Sequence, residues 1–304
     1  MRKIFIAAIL ILIGASYFIG NYFVNFALKR NPETLSPPPA TVNIADPNLT
    51  APPEPNFPKE LWTIKSAEGF KLYADYFSPE TETHRWAILV HGYGRDRRFA
   101  YDYAEEYLRH GYNVLTPDLR AAGESEGIYI TMGTFESRDI VLWAEKIVER
   151  DPQAKIIFHG VSMGAATVLM AAALEPKNLV AVVEDCGYTS AYEMFTVQLE
   201  RIFDLPEFPV MPIVDVVSKI KIGAKISDAA QIDYVSKINV PTLFIHGDAD
   251  KLVPYEMMQK LFNASNAPVK ENWTVEGAGH ADAKRQNPKK YFERVFAFID
   301  KYTN

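Results

Sequence analysis

The sequence of 304 residues is poor in cysteine, has no excess of positive charge and lacks the common metal and nucleotide motifs. Its one cysteine, Cys186, cannot form an internal disulfide, and this count excludes a cysteine-rich zinc module. The formal net charge of −6 argues against nucleic acid as a partner, because phosphate binding needs a basic surface. No H-x-x-x-H spacing, GxGxxG loop or P-loop occurs, so we expect neither a metal nor a cofactor.

Charged residues are also missing from residues 4–28, where Asn21 and Asn25 are the only strongly polar side chains. As a helix this run would measure roughly 37 Å, at 1.5 Å per residue, which exceeds a bilayer hydrocarbon core of about 30 Å. We therefore expect residues 1–30 to form a signal anchor, a transmembrane helix that stays in the membrane. The alternatives are a cleaved signal peptide, with a poor cleavage site at residues 13–15, and the less favoured buried core helix.

Two basic residues flank this apolar run on each side: Arg2 and Lys3 precede it, and Lys29 and Arg30 follow it. The amino group of the N-terminus adds positive charge to the side of Arg2 and Lys3. The positive-inside rule therefore slightly favours a cytoplasmic N-terminus. The expected product is a single-pass membrane protein with its remaining residues outside the cytoplasm, at the cell surface. The alternative is secretion after signal cleavage.

Proline is concentrated in residues 31–60, which contain nine of the twenty prolines. Proline fixes φ and removes a backbone donor, so neither a helix nor an inner strand is expected there. The segment is predicted to be an extended linker between the membrane segment and a domain of residues 61–304.

From residue 61 onward, short apolar β-rich runs alternate with helical patterns. A hairpin around Glu68-Gly69 is followed by six such runs, at residues 86–93, 112–119, 155–162, 179–188, 242–250 and 271–280. Strands without polar alternation are typical of a parallel sheet that is buried on both faces. The pattern predicts an α/β domain with a mostly parallel central sheet flanked by helices, and functional loops at the carboxyl ends of its strands.

Residues 189–236 interrupt this rhythm with helical patterns that contain several prolines. A connection of about fifty residues is long for an ordinary crossover. We therefore predict a helical lid inserted at the functional edge of the sheet, with a plain crossover as the alternative.

The segment Gly160-Val161-Ser162-Met163-Gly164 fits the pattern G-x-S-x-G. It lies between an apolar strand and a helix, where a sharp turn would expose the serine hydroxyl. This context makes Ser162 the candidate nucleophile, since a tight turn with an incidental serine is the weaker interpretation.

A serine hydroxyl needs a base, and the base needs an acid that orients it. His280 lies on a glycine-flanked loop after the last predicted strand, which makes it the candidate base. The candidate acids are Asp250 and Asp248, which follow the strand predicted at 242–247, and Asp185, which ends the preceding strand; spacing alone does not choose among them.

These motifs resemble those of the α/β-hydrolase superfamily, and specifically its serine-aminopeptidase-like and prolyl-oligopeptidase-related branch, which includes membrane-attached cell-surface hydrolases. The resemblance covers about residues 60–304 and extends to the segments HGYG (91–94) and HGDADKLVP (246–254). It implies an α/β-hydrolase fold and assigns the acid to Asp250. It also implies an oxyanion hole formed by the backbone N–H groups of Tyr93 and Met163.

We therefore expect a membrane-anchored serine hydrolase that cleaves an acyl bond, most simply a carboxylic ester, through an acyl-enzyme on Ser162. A peptidase with the same triad is the alternative, with a small-molecule or peptide acyl compound as the substrate in either case. A non-catalytic surface protein that binds a ligand is the alternative from another class. A large apolar cavity beneath residues 189–236 would favour long acyl chains, whereas a charged one would favour peptides.

Overall fold

The computed structural model describes residues 1–30 and 50–303. The predicted linker over residues 31–60 therefore lies outside the described residues from 31 to 49, and its last two residues belong to the first strand.

Within the described ranges, eight strands form one sheet. They are β1 (Lys59–Lys65), β2 (Lys71–Phe77), β3 (Arg85–Val90), β4 (Asn113–Pro117), β5 (Lys155–Val161), β6 (Leu179–Asp185), β7 (Thr242–Gly247) and β8 (Lys270–Val275). Their spatial order is β1-β2-β4-β3-β5-β6-β7-β8. The hairpin strands β1 and β2 pair antiparallel, β2 also meets β4 antiparallel, and the remaining pairs are parallel.

The α-helices of the described chain connect and cover these strands. They are α1 (Arg2–Leu28), α2 (Tyr101–Arg109), α3 (Glu136–Arg150), α4 (Met163–Ala172), α5 (Ala191–Phe203), α6 (Glu207–Ile222), α7 (Tyr255–Ala264), α8 (Ala283–Gln286) and α9 (Pro288–Thr303). Apolar side chains of α3, α4 and α7 pack in one core, whereas those of α2 and α9 pack in a second core. Because strands such as β5 are buried almost throughout, the sheet separates these two cores. This architecture confirms the predicted α/β-hydrolase fold.

The connection from β6 to β7 contains α5, α6 and three short 3₁₀ turns, which agrees with the helical character expected of residues 189–236. Pro206 immediately precedes α6, where its missing N–H removes no helical hydrogen bond, and Pro212 lies inside the helix. We refer to α5 and α6 together as the cap helices.

Helix α1 is long and apolar enough to cross a membrane, but its two ends have different surroundings. Side chains of residues 2–19, which we call the outer helix, are exposed apart from half-buried Ser16. Residues 20–28, the inner helix, pack against α6 and bury Gly20, Val24 and Leu28.

Candidate active site

Ser162 stands at the sharp turn between β5 and α4, with φ 58° and ψ −119°. This strained conformation depends on close backbone approaches on both sides of the serine. A Cβ on Gly160 would lie 2.2 Å from the Gly164 carbonyl oxygen, and a Cβ on Gly164 would lie 2.1 Å from that of Val90. Only glycine fits at either position, so the two glycines of G-x-S-x-G are required by packing around the turn.

The loops that follow β7 and β8 bring Asp250 and His280 to this serine. The Ser162 hydroxyl donates to His280 Nε2 over 2.8 Å, and His280 Nδ1–H donates to Asp250 Oδ2 over 2.7 Å. The Gly247 backbone sets this approach, because a Cβ there would lie 2.2 Å from the Ala278 carbonyl oxygen. The three side chains named from the sequence thus form one hydrogen-bonded series from hydroxyl to carboxylate.

Asp250 is held by more partners than His280. Its Oδ1 accepts the N–H groups of Leu252 and Val253 at 2.8 and 2.9 Å, and buried His246 places Nε2 3.3 Å from Oδ2. Burial alone would raise the pKa of Asp250, but the hydrogen bonds from His246, His280 and Val253 outweigh it and hold this pKa well below its ordinary value. The carboxylate is therefore ionised at neutral pH, as a group that stabilises an imidazolium must be.

The two other candidate acids are engaged elsewhere. Asp248 accepts the Gly277 N–H over 2.6 Å, and buried Asp185 accepts the Tyr291 hydroxyl over 2.8 Å. Their contacts fix the loop before His280 and anchor α9 to the sheet. Neither is hydrogen-bonded to His280 in the described structure.

The backbone at Tyr93 and Met163 borders the serine. Met163 is the first residue of α4, where backbone N–H groups have no acceptor within the helix. A Cβ on Gly92 would lie 3.9 Å from Ser162 Oγ, so the chain entering Tyr93 runs directly beside the hydroxyl. Buried His91 fixes this loop: its Nδ1–H donates to the Gly92 carbonyl at 2.8 Å, within the HGYG segment.

A pocket of about 810 Å³, including its open mouth, adjoins Ser162 on the side of the cap helices. Its lining is almost wholly apolar and comes mainly from the two cap helices and the inner helix. The cap helices contribute Phe195, Leu199 and Val214, and the inner helix contributes Phe23 and Ala27. The predicted space beneath residues 189–236 is therefore apolar rather than charged.

A second, larger cleft of about 1840 Å³ meets Ser162 from the side of His280. Its lining is mixed and includes charged side chains. Asp102 pairs with Lys284, and Asp282 with Arg285, so both acidic side chains of this cleft have a basic partner. Ser162 thus lies between an almost wholly apolar pocket and a cleft of mixed lining, which we call the polar cleft because the charged side chains beside Ser162 lie in it.

Among the described residues, Cys186, Asp250 and His280 are the group that could hold a metal ion, with ligand atoms within 4.8 Å of one another. Burial raises the pKa of the Cys186 thiol well above its ordinary value, which keeps it protonated and a poor ligand. Asp250 and His280 are hydrogen-bonded to each other, so this chemistry fits a proton relay better than a metal centre.

The contribution of the inner helix to the pocket was not predicted from the sequence. Phe23 and Phe26 contact Phe203 of α5 edge-to-face, with ring centroids 5.2 and 5.3 Å apart. The Tyr93 hydroxyl donates to the Ala27 carbonyl and joins the inner helix to the loop beside Ser162. One feature of the sequence does indicate a protein contact at this end of the helix. The two asparagines of the apolar run are four residues apart and therefore share one helical face.

Comparison with known proteins places these features in a family. The model of the prolyl oligopeptidase family matches residues 99–304. The uncharacterized protein YqkD of Bacillus subtilis is 27% identical over 244 residues, which cover 80% of this chain and 79% of that relative.

Solved structures share the fold. The Pyrococcus furiosus esterase Pf2001 aligns with a TM-score of 0.69 at 24% identity, over 86% of this chain and all of the esterase. The Pyrococcus horikoshii acylaminoacyl peptidase aligns with a TM-score of 0.63 at 17% identity, over 82% of this chain and 42% of the peptidase. The family match, which spans well over half of the chain, shows that this protein is a hydrolase of the prolyl oligopeptidase family, within the α/β-hydrolase superfamily.

Proposed function

We propose that this protein is a serine hydrolase that cleaves carboxylic esters with an apolar acyl group. The observation that carries the proposal is the hydrogen-bonded series Ser162–His280–Asp250 at the base of the apolar pocket. A nucleophile, its base and an orienting carboxylate in this order are what acyl transfer requires.

In the proposed reaction, His280 Nε2 takes the Ser162 proton while Oγ attacks the ester carbonyl carbon. Ionised Asp250 stabilises the imidazolium through its hydrogen bond to Nδ1. The N–H groups of Tyr93 and Met163 would bind the oxyanion, and each such donor is typically worth about 2.7–4 kcal/mol of transition-state stabilisation. His280 then protonates the leaving alcohol, and water hydrolyses the acyl-enzyme by the same route in reverse.

The two spaces beside Ser162 suggest which part of the substrate goes where. The leaving group must receive its proton from His280, and His280 borders the polar cleft but does not line the apolar pocket. We therefore assign the polar cleft to the alcohol and the apolar pocket to the acyl chain. The cap helices would act as a lid over that chain, since they supply much of the pocket wall.

A peptidase is the second candidate, because family membership and the likeness to acylaminoacyl peptidase favour it. An aminopeptidase needs a free carboxylate to bind the substrate amine. Asp102 and Asp282 of the polar cleft are both paired with basic side chains, so neither offers this. The absence of such a group from the described lining of the cleft ranks the ester above the aminoacyl amide.

We further propose that the outer helix anchors the enzyme in a membrane as a single pass, with the hydrolase domain outside the cytoplasm. The length of the outer helix and the mean hydropathy of 2.2 in the most apolar part of α1 support this assignment. Secretion after signal cleavage is the alternative, and intact mass of the mature protein separates the two outcomes.

A panel of acyl esters and aminoacyl amides tests the proposed activity. The expected result is ester turnover that rises with acyl chain length and falls by at least about 10³-fold in Ser162→Ala. Ser236→Ala, at an exposed position, is the matched control and should retain full turnover. Turnover of amides alone would replace the esterase proposal by the peptidase, and equal turnover in Ser162→Ala and the parent chain would refute both.

A further inference from the structure

The inner helix is fixed to the hydrolase domain by polar and close-packed contacts, unlike a helix that only tethers it. Lys221 of α6 donates to Asn25 Oδ1 over 2.7 Å and also to the Asn21 side chain. A Cβ on Gly20 would lie 2.5 Å from Val217 Cγ2, so α1 and α6 meet at van der Waals distance there. These contacts set the position of the apolar pocket relative to the outer helix.

Helix α1 is long enough for its outer part to span a bilayer and for its inner part to line the pocket. The 18 residues of the outer helix measure roughly 27 Å, close to the hydrocarbon thickness of a bilayer, about 30 Å. The side chains of the inner helix that line the pocket, Phe23, Phe26 and Ala27, follow within roughly 6–12 Å along the axis. A pocket that ends at Ser162 therefore begins at the membrane surface if the outer helix spans the bilayer.

Cap helix α6, which packs on the inner helix, also has an exposed apolar surface. Phe208, Val216 and Ile220 are 77%, 56% and 68% exposed, and the last two lie one helical turn apart. Gly20, the first residue after the outer helix, packs against Val217, the residue next to Val216, so the contact between the two helices brings this surface beside the outer helix. Bilayer lipid is the partner that fits both surfaces, because hydrocarbon already surrounds the adjoining outer helix in the anchored protein.

We propose that the substrates are long-chain acyl esters resident in the bilayer that anchors the enzyme, and that the inner helix forms the wall along which their acyl chains reach Ser162. This inference rests on the proposed ester hydrolysis and specifies its substrate class. The alcohol leaves through the polar cleft after protonation by His280, and the fatty acid formed by hydrolysis of the acyl-enzyme returns to the bilayer along the same wall.

The first test uses the full-length protein in phospholipid vesicles. A long-chain fluorogenic ester is placed either in the same vesicles or in a second, protein-free population, and a water-soluble acetate ester serves as the control substrate. We expect turnover of the long-chain ester to be at least about 10-fold faster in the same vesicles. Equal rates in the two arrangements would overturn the inference.

A second test compares two alanines of one helix. Ala27→Phe places a ring in the pocket wall, whereas Ala15→Phe adds the same ring to the exposed outer helix. The ratio of long-chain to acetate turnover should fall at least about 10-fold in Ala27→Phe and stay at the parent value in Ala15→Phe. An unchanged ratio in Ala27→Phe would overturn the inference.

The outcomes also separate this inference from the proposed activity. Acetate turnover without long-chain turnover in the same vesicles would retain the esterase and reject the bilayer substrate. No turnover of either ester by the parent chain, with Ser162 still reactive toward a fluorophosphonate, would reject ester hydrolysis itself and the inference with it.

Discussion

The outer and inner parts of helix α1 have similar apolar compositions but different surroundings. Side chains of the outer helix are almost all exposed, and a Cβ on Gly14 would have no neighbouring atom of the described chain within 4 Å. The inner helix buries Val24 and Leu28 completely or nearly so, and its asparagines bind Lys221. The same helix therefore has one segment without neighbours in the described chain and another segment that is packed into the hydrolase domain.

This difference shows that one apolar N-terminal helix can contain both an exposed segment and a segment that packs on the domain and lines the pocket beside Ser162. Hydrocarbon solvates any apolar side chain, but a protein surface selects shape and hydrogen-bonding groups. Glycine and asparagine in the inner helix meet those demands, at Val217 and at Lys221 respectively. The following predictions test this comparison, beginning with the largest effect.

Truncation should separate the two parts most strongly. A chain that begins at residue 31 loses the buried side chains of Val24 and Leu28, each worth about 1.5–3 kcal/mol. We expect its free energy of unfolding to fall by at least about 3 kcal/mol and its long-chain ester turnover by at least about 100-fold. Denaturant unfolding and turnover of a detergent-dispersed ester measure the two effects.

A chain that begins at residue 19 is the control for this truncation, because it keeps the whole inner helix. It should match the full-length protein in long-chain ester turnover and lose much less free energy of unfolding than the chain that begins at residue 31. Equal behaviour of the two truncated chains would mean that the inner helix contributes nothing to the domain.

Lys221→Met should remove the charged donor that binds the inner helix. Hydrogen bonds to charged groups are worth about 1.5–3 kcal/mol, and this substitution leaves both asparagine oxygens without that donor. Lys219→Met changes an exposed lysine of the same helix, whose contact is with the Gly223 carbonyl at the helix end. Thermal unfolding in detergent micelles should show the larger loss for Lys221→Met, and the reverse ranking would contradict the assigned contact.

Alanine at the two glycines of α1 should act in opposite directions. Gly20→Ala forces a Cβ against Val217 and should destabilise the fold by about 1–3 kcal/mol. Gly14→Ala has space and should stabilise the helix by roughly 0.5–1 kcal/mol. The two shifts in Tm have the same sign only if the α1–α6 contact is absent in solution.

Tyr93→Phe should give the smallest effect. It removes the hydroxyl that donates to the Ala27 carbonyl, a neutral hydrogen bond worth about 0.5–1.5 kcal/mol. Burial raises the pKa of Tyr93, so the hydroxyl stays protonated and donates throughout the ordinary pH range. Tyr17→Phe on the outer helix is the control and should leave Tm unchanged; a matching loss there would refute the specific role of the Tyr93 hydroxyl.

Local sequence patterns predicted most of the fold. They also predicted that the candidate site residues lie at the carboxyl ends of the parallel strands, where the structure has them. Buried strands read as unbroken apolar runs, and the G-x-S-x-G turn has glycines because two backbone segments pass within contact distance there. Ser162, Asp250 and His280, which lie far apart in the chain, are hydrogen-bonded to one another through His280. Their catalytic roles stay predictions.

Local patterns could not predict that the inner helix forms part of the pocket wall, because that wall depends on contacts between residues far apart in the chain. Hydropathy treats every apolar side chain of α1 alike, so the sequence predicts one anchor where the structure has two environments. Two features of the sequence indicate the two environments. The apolar run measures roughly 37 Å, which exceeds the hydrocarbon core, and Asn21 and Asn25 lie on one helical face. The partner of that face, Lys221, is about two hundred residues away, and only folding reveals it.

The most direct test is a photocrosslinking measurement on the full-length protein in vesicles. A long-chain alkyl fluorophosphonate with a diazirine at the chain end reacts first and is then irradiated, and peptide mass spectrometry locates both attachment points. We predict phosphonylation of Ser162 and a crosslink within residues 20–28 or the cap helices. Absence of the adduct at Ser162, or crosslinks confined to the polar cleft, would contradict a serine hydrolase whose acyl pocket includes the inner helix.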